Sequence, residues 1–176
     1  MAKTMLALDR RGFMKAGAGL LAMTIMPSGL IMGNAWAQMP RSTKPDTFAA
    51  LVQMSRDCYP HDQIADSYYA NAVTILDEAA RASEADLALL EEGVAGLNAA
   101  ARKAGGSDYK SLANEPDRVA ILEAMGDADP FFQKVRSNLV VGLYNQKDLW
   151  PIFGYEGASA DQGGYIERGF DDIDWV

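Results

Sequence analysis

The sequence predicts an all-α protein, a small bundle of about five helices followed by an irregular C-terminal tail rich in glycine and aromatic residues. Three observations lead there. Between residues 46 and 146, apolar side chains recur at three- and four-residue spacing in stretches separated by proline, glycine or capping residues, with no alternating strand of useful length. At 176 residues and 49% apolar composition, the chain has room for one core and not two. Beyond residue 146 the helical period stops, and glycines, acids and aromatics take over.

Taken in order, residues 38–45 carry Pro40 and Pro45 and read as a linker leading to a helix capped near Asp46. Phe48, Leu51, Val52, Ser55, Cys58 and Tyr59 fall on one face of that helix, and Pro60 stops it. A second helix is expected from Asp62, which caps it after a turn holding His61, with Ala65, Tyr68, Tyr69, Ala72, Val73 and Leu76 inside. Ser83, with Asp86 three residues on, forms a weak capping box for a third helix, whose stripe is Leu87, Leu90, Val94 and Leu97. Gly105 and Gly106 end it. Asn114-Glu115-Pro116 opens a fourth helix through Val119, Leu122 and Met125. Asp129-Pro130 opens a fifth, carrying Phe132, Val135, Leu139 and Leu143 inward. Short connections between amphipathic helices define a bundle over residues 46–146, with a tail over 147–176.

The first 37 residues read as a leader. A basic start (Lys3, Arg10, Arg11, Lys15) precedes an uncharged stretch from Ala16, and Ala35-Trp36-Ala37 supplies a small-residue cleavage site. Arg10-Arg11 followed by Gly12, Phe13, Met14 and Lys15 resembles the twin-arginine pattern, which a receptor reads through the paired guanidinium groups and the apolar residue two places on. The competing reading is an uncleaved membrane anchor over residues 16–37; Pro27-Ser28-Gly29 in its middle weakens that helix. The leader holds four of the sixteen Lys and Arg and one of the twenty-four acids, so the remainder sets 12 against 23, a net charge of −11. Such a chain, at pI near 4.6 before cleavage, lacks the clustered cations of a nucleic-acid binder. The twin-arginine translocase moves proteins already folded, so a small protein with such a signal needs a reason to fold before export: it binds something itself, or it brings something with it.

Cys58 and His61, in "RDCYPHD", are the only cysteine and the only histidine. They could form a nucleophile and its base, or half a metal site. Pro60 breaks the helical geometry between them, and Cys58 shares its face with Leu51 and Ser55, where a thiol is ordinarily packing. In an oxidising compartment a lone cysteine is either buried or bonded to another protein, and its spacing favours burial. Asp171, Asp172 and Asp174 do not have the spacing of an EF-hand loop and read as a solvated or partner-facing patch. A haem-attachment motif, a phosphate loop and a dinucleotide glycine fingerprint are all absent.

The tail spaces Trp150, Phe153, Tyr155, Tyr165, Phe170 and Trp175 with glycines. A segment of that kind follows an irregular surface and buries its rings there. One reading wraps it on its own bundle; the other docks its outer part, "GGYIERGFDDIDWV", on a partner, with aromatic anchors and with Asp171 and Asp172 facing basic residues.

The twin-arginine leader, the "YPHD" turn, "FFQKVRSNLVVGLYNQKDLWPIFGYEG" and the closing "GGYIERGFDDIDWV" together resemble the gluconate 2-dehydrogenase subunit 3 family. The resemblance spans essentially the whole chain and is most specific in the C-terminal third. It implies a non-catalytic small subunit of a periplasmic or membrane-associated dehydrogenase acting on sugars, gluconate or alcohols. The large subunit, of the glucose-methanol-choline oxidoreductase type, would hold FAD, and a cytochrome c subunit with haem c would often take the electrons. The small subunit would export, mature and stabilise the large one. No catalytic, cofactor-binding or metal-binding residue is carried over. The alternative is a free-standing exported enzyme using Cys58 and His61, which predicts turnover by the purified chain alone.

Overall fold

The computed structural model describes residues 40–170, which form five α-helices and several short 3-10 turns, with no strand among the described residues. The helices are α1 (Pro45–Cys58), α2 (Asp66–Ala80), α3 (Glu84–Lys103), α4 (Glu115–Met125) and α5 (Pro130–Gly142). The expected all-α bundle is therefore the observed fold.

Helix α1 is its axis. Every residue from Thr47 to Ser55 is buried, because α2, α3, α4 and α5 all pack against it. The sequence stripe marked only one inner face, and Thr47 and Gln53 lay outside it. Both are instead satisfied inside, as is Ser55: Thr47 Oγ1 donates to Glu91 (2.8 Å), Gln53 Nε2 to Asp57 (3.1 Å) and Ser55 Oγ to the Leu51 carbonyl (2.7 Å). Leu51, Met54, Tyr69, Leu90, Leu97, Leu139 and Leu143 fill the space around them. Each aliphatic side chain among these contributes about 1.5–3 kcal/mol by leaving water.

Several helix ends follow the residues expected of them. Ser83 Oγ accepts from Asp86 N–H (3.1 Å), and Asp129 accepts from Phe132 N–H (2.9 Å) with Pro130 in the first turn. At the end of α3, Gly105 sits at φ 94°. Gly105 N–H reaches the Arg102 carbonyl and Gly106 N–H the Ala101 carbonyl, which satisfies carbonyls of the last helical turn.

Other expectations are corrected. Helix α2 begins at Asp66, not Asp62, and Asp62 does not cap it. Residues 61–64 close a turn instead, with Ile64 N–H on the His61 carbonyl (3.2 Å) and the Ile64 side chain buried, which also leaves Ala65 exposed. Asp46 lies within the first turn of α1 and pairs with Lys110 (3.1 Å), while Lys44 takes the cap position. In α5 it is Phe131 rather than Phe132 that enters the core, four residues before Val135 and eight before Leu139. Gly93 of α3 makes room for the Phe131 ring.

Helices α2 and α5 run antiparallel in close contact. A Cβ on Gly142 would stand 3.3 Å from Ala72 Cα, Asn138 Nδ2 donates to the Ala72 carbonyl (2.8 Å), and Gln146 Nε2 donates to the Tyr68 carbonyl (2.9 Å). The residues ahead of α1 are pinned. Asp77 of α2 accepts from the backbone N–H groups of Arg41 (2.6 Å) and Thr43 (2.7 Å) and from Thr43 Oγ1 (2.7 Å), with longer contacts to Ser42. Burial works to raise its pKa, but these bonds prevail and hold the carboxyl below its usual range.

Candidate functional site

The C-terminal segment is built in two parts. In the first, the chain leaves α5 through Leu143 and makes 3-10 turns at Lys147–Leu149 and Pro151–Phe153, with Leu149 fully buried. Trp150 Nε1 donates to the Tyr144 carbonyl (3.0 Å), and the Trp150 ring meets Tyr155 edge-on at 5.1 Å. Tyr144 and Phe153 pack on the turn between α1 and α2. His61 Nε2 is 2.7 Å from Tyr144 Oη, and the His61 ring lies 5.0 Å from that of Phe153 and 5.7 Å from that of Tyr144. Tyr59 adds an edge contact to Tyr144 at 5.7 Å. Tyr69 Oη fixes the turn, accepting from His61 N–H (3.2 Å) and donating to the Tyr59 carbonyl (2.5 Å). Burial raises the pKa of Tyr144 and of Tyr69, so both hydroxyls stay protonated and available as donors. The "YPHD" turn and the start of the tail are thus one structural unit.

In the second part, the chain departs from this cluster. Gly157, at φ 102°, lies beside the Trp150 ring where this part begins. Tyr155 is 50% exposed, Tyr165 61%, Ile166 84% and Phe170 77%. Among the sequence-named docking residues, Trp150 and Phe153 therefore lie half-buried against the bundle, Tyr155 rests on the Trp150 ring with half its surface exposed, and Tyr165 and Phe170 face solvent. Asp171, Asp172 and Trp175 lie outside the described residues, as do Arg10, Arg11, Phe13 and Lys15 of the export signal and Ala35 and Ala37 of the cleavage site.

Cys58 and His61 point into different surroundings. Cys58 is half-buried rather than fully enclosed, because it lines an open cavity of about 390 Å³ with Asp57, Val119, Leu122, Glu123, Gly126, Asp127 and Phe132. Burial, reinforced by Asp57, pushes its thiol up to about 12, so it is a poor nucleophile at neutral pH. His61 is committed to the aromatic cluster. No group of three or more His, Cys, Asp or Glu side chains that could hold a metal occurs among the described residues. Nor is any described helix long and apolar enough to cross a membrane.

Sequence reasoning missed the polar network beneath Cys58. Asp57 receives Arg118 Nε (2.9 and 3.1 Å) and Nη2 (3.0 Å), Tyr109 Oη (2.7 Å) and Gln53 Nε2 (3.1 Å), while Arg118 Nη1 donates to the Leu112 carbonyl (2.6 Å). Burial works against the Arg118 charge, but its bonds and attraction to Asp57 outweigh this and raise its pKa. Tyr109 is raised too, by burial first and then by Asp57. The network ties α4 and the Tyr109–Ser111 turn to the end of α1. Its groups answer one another, so it reads as a structural joint.

Comparison with known proteins adds no relative: the chain matches no family model, no curated protein and no solved structure.

Proposed function

We propose that this chain is the small, non-catalytic subunit of an exported FAD-dependent dehydrogenase for sugars, gluconate or alcohols. In this reading it carries the large flavoprotein through the twin-arginine translocase and stabilises it in the periplasm. The observation that carries the proposal is the division of the tail. Its first half is anchored on the "YPHD" turn, and its second half offers Tyr165, Ile166 and Phe170 to solvent. Apolar side chains so exposed on one short segment favour an interface. The "YPHD" turn and the stretch from Tyr144 to Phe153, both part of the family resemblance, also meet in space, which supports treating them as a unit.

The chemistry near Cys58 and His61 favours this role over an enzyme in its own right. A thiol held near 12 lacks the thiolate that nucleophilic catalysis uses, and His61 faces Tyr144 and Phe153 rather than the Cys58 cavity.

Replacing Arg10 and Arg11 with lysine tests the export role. Both the small chain and the flavoprotein should then remain in the cytoplasm. Continued export of the flavoprotein would show that it travels independently.

A further inference from the structure

We propose that residues 156–168 form a preshaped docking finger, closed by the ion pair of Glu156 with Arg168, which places Ile166 in an apolar, basic-rimmed pocket of the large flavoprotein subunit. This deepens the subunit reading and rests on it.

The finger is held by its own bonds. Arg168 Nη2 meets the Glu156 carboxylate at 2.5 Å, Gln162 Nε2 donates to the Glu156 carbonyl, and Gly164 N–H donates to the Ser159 carbonyl at 2.7 Å. The Arg168 guanidinium also lies 5.7 Å from the Tyr165 ring centre. Gly163 and Gly164, at φ 83° and 77°, take the left-handed turns that bring the two ends together. Ile166, two residues before the closing arginine, is 84% exposed, the most exposed of the large apolar side chains described. A side chain presented on a loop that is already closed loses less freedom on docking than one on an open tail.

Charge selects the kind of partner. Arg168 is paired with Glu156 through Nη2 and keeps its Nη1 buried without a partner among the described residues, which leaves Asp161, Glu167 and the following Asp171, Asp172 and Asp174 as the remaining charges along this stretch. Residues 38–176 carry a net −11. An anionic bilayer and a second copy of this acidic chain both meet it with like charge, whereas an apolar pocket rimmed by Lys or Arg complements it. Tyr165 and Phe170 were legible as anchors from composition. Ile166 is added by its exposure.

The test compares tagged full-length protein from its native cell with the variants Ile166→Asp, Glu156→Arg and Arg168→Glu and with the double reversal, reading flavin absorbance per tagged chain in the eluate. Ile166→Asp should reduce the co-eluting flavoprotein about tenfold or more, as loss of an interface anchor does. Each single reversal should reduce it several-fold, and the double reversal should restore most of it, with melting temperatures unchanged throughout. Undiminished flavin with Ile166→Asp would overturn the finger and leave the subunit reading standing. A wild-type chain without flavoprotein would remove the subunit reading, and the finger with it. A wild-type dimer made monomeric by Ile166→Asp, or Ile166-dependent flotation with anionic vesicles, would give the finger a different occupant and contradict the proposal.

Discussion

Asp57 and Arg118 sit 61 positions apart in the chain, yet together they take two charges out of water. Removing one partner leaves the other buried and unpaired, so Arg118→Ala should cost about 3–5 kcal/mol in urea unfolding. Cys58 behaves differently. With its thiol raised from 9.0 to about 12, it should resist iodoacetamide at pH ~8 in the folded protein and react readily once the chain is unfolded in urea. The same shift sets a pH dependence. The folded state favours the neutral thiol, so this contribution to stability is present below pH 9.0 and lost as the pH rises toward about 12. The apolar side chains around these groups were readable from spacing, including Leu51, Leu90 and Leu139. The polar partnerships were not, because Arg118 lies in "EPDRVAILEAM", where its neighbours suggest a solvated face, and His61 finds Tyr144 83 residues away. Periodicity reports which face is apolar and carries no information about which distant polar group will meet another.

At the scale of the helix, α3 holds two glycines in opposite circumstances. A Cβ at Gly93 would fall 2.2 Å from the Phe131 ring, while one at Gly96 would meet nothing within 4 Å. Gly93→Ala should therefore destabilise by about 1–3 kcal/mol through overpacking, and Gly96→Ala should stabilise by about 0.5–1 kcal/mol through helix propensity. Thermal unfolding of the two variants should shift in opposite directions. All five helices were legible because caps and breakers coincide with changes of period, as at Ser83, Gly105 and Asp129. Their limits failed where tertiary packing took over. The buried Ile64 draws residues 61–64 into a turn and delays α2, and encirclement by four helices buries faces of α1 beyond the stripe that its apolar residues marked.

For the whole molecule, the central matter is the contrast between a bundle whose buried carboxylates are paired and a tail whose outer half is not buried on it. Asp57 and Asp77 both have their acceptors occupied, and Leu149 seals the base of the tail. Tyr165, Ile166 and Phe170 complete no part of that core. The sequence allowed the tail to wrap inward or dock outward, since glycine and aromatic content suits both. The fold divides it near Gly157, a boundary that composition alone does not mark. The most direct test of the subunit role is a pull-down of tagged full-length protein from its native cell with an absorption spectrum of the eluate. A large co-eluting chain with flavin absorbance is the predicted result. A lone, colourless chain at every salt concentration tried would contradict it.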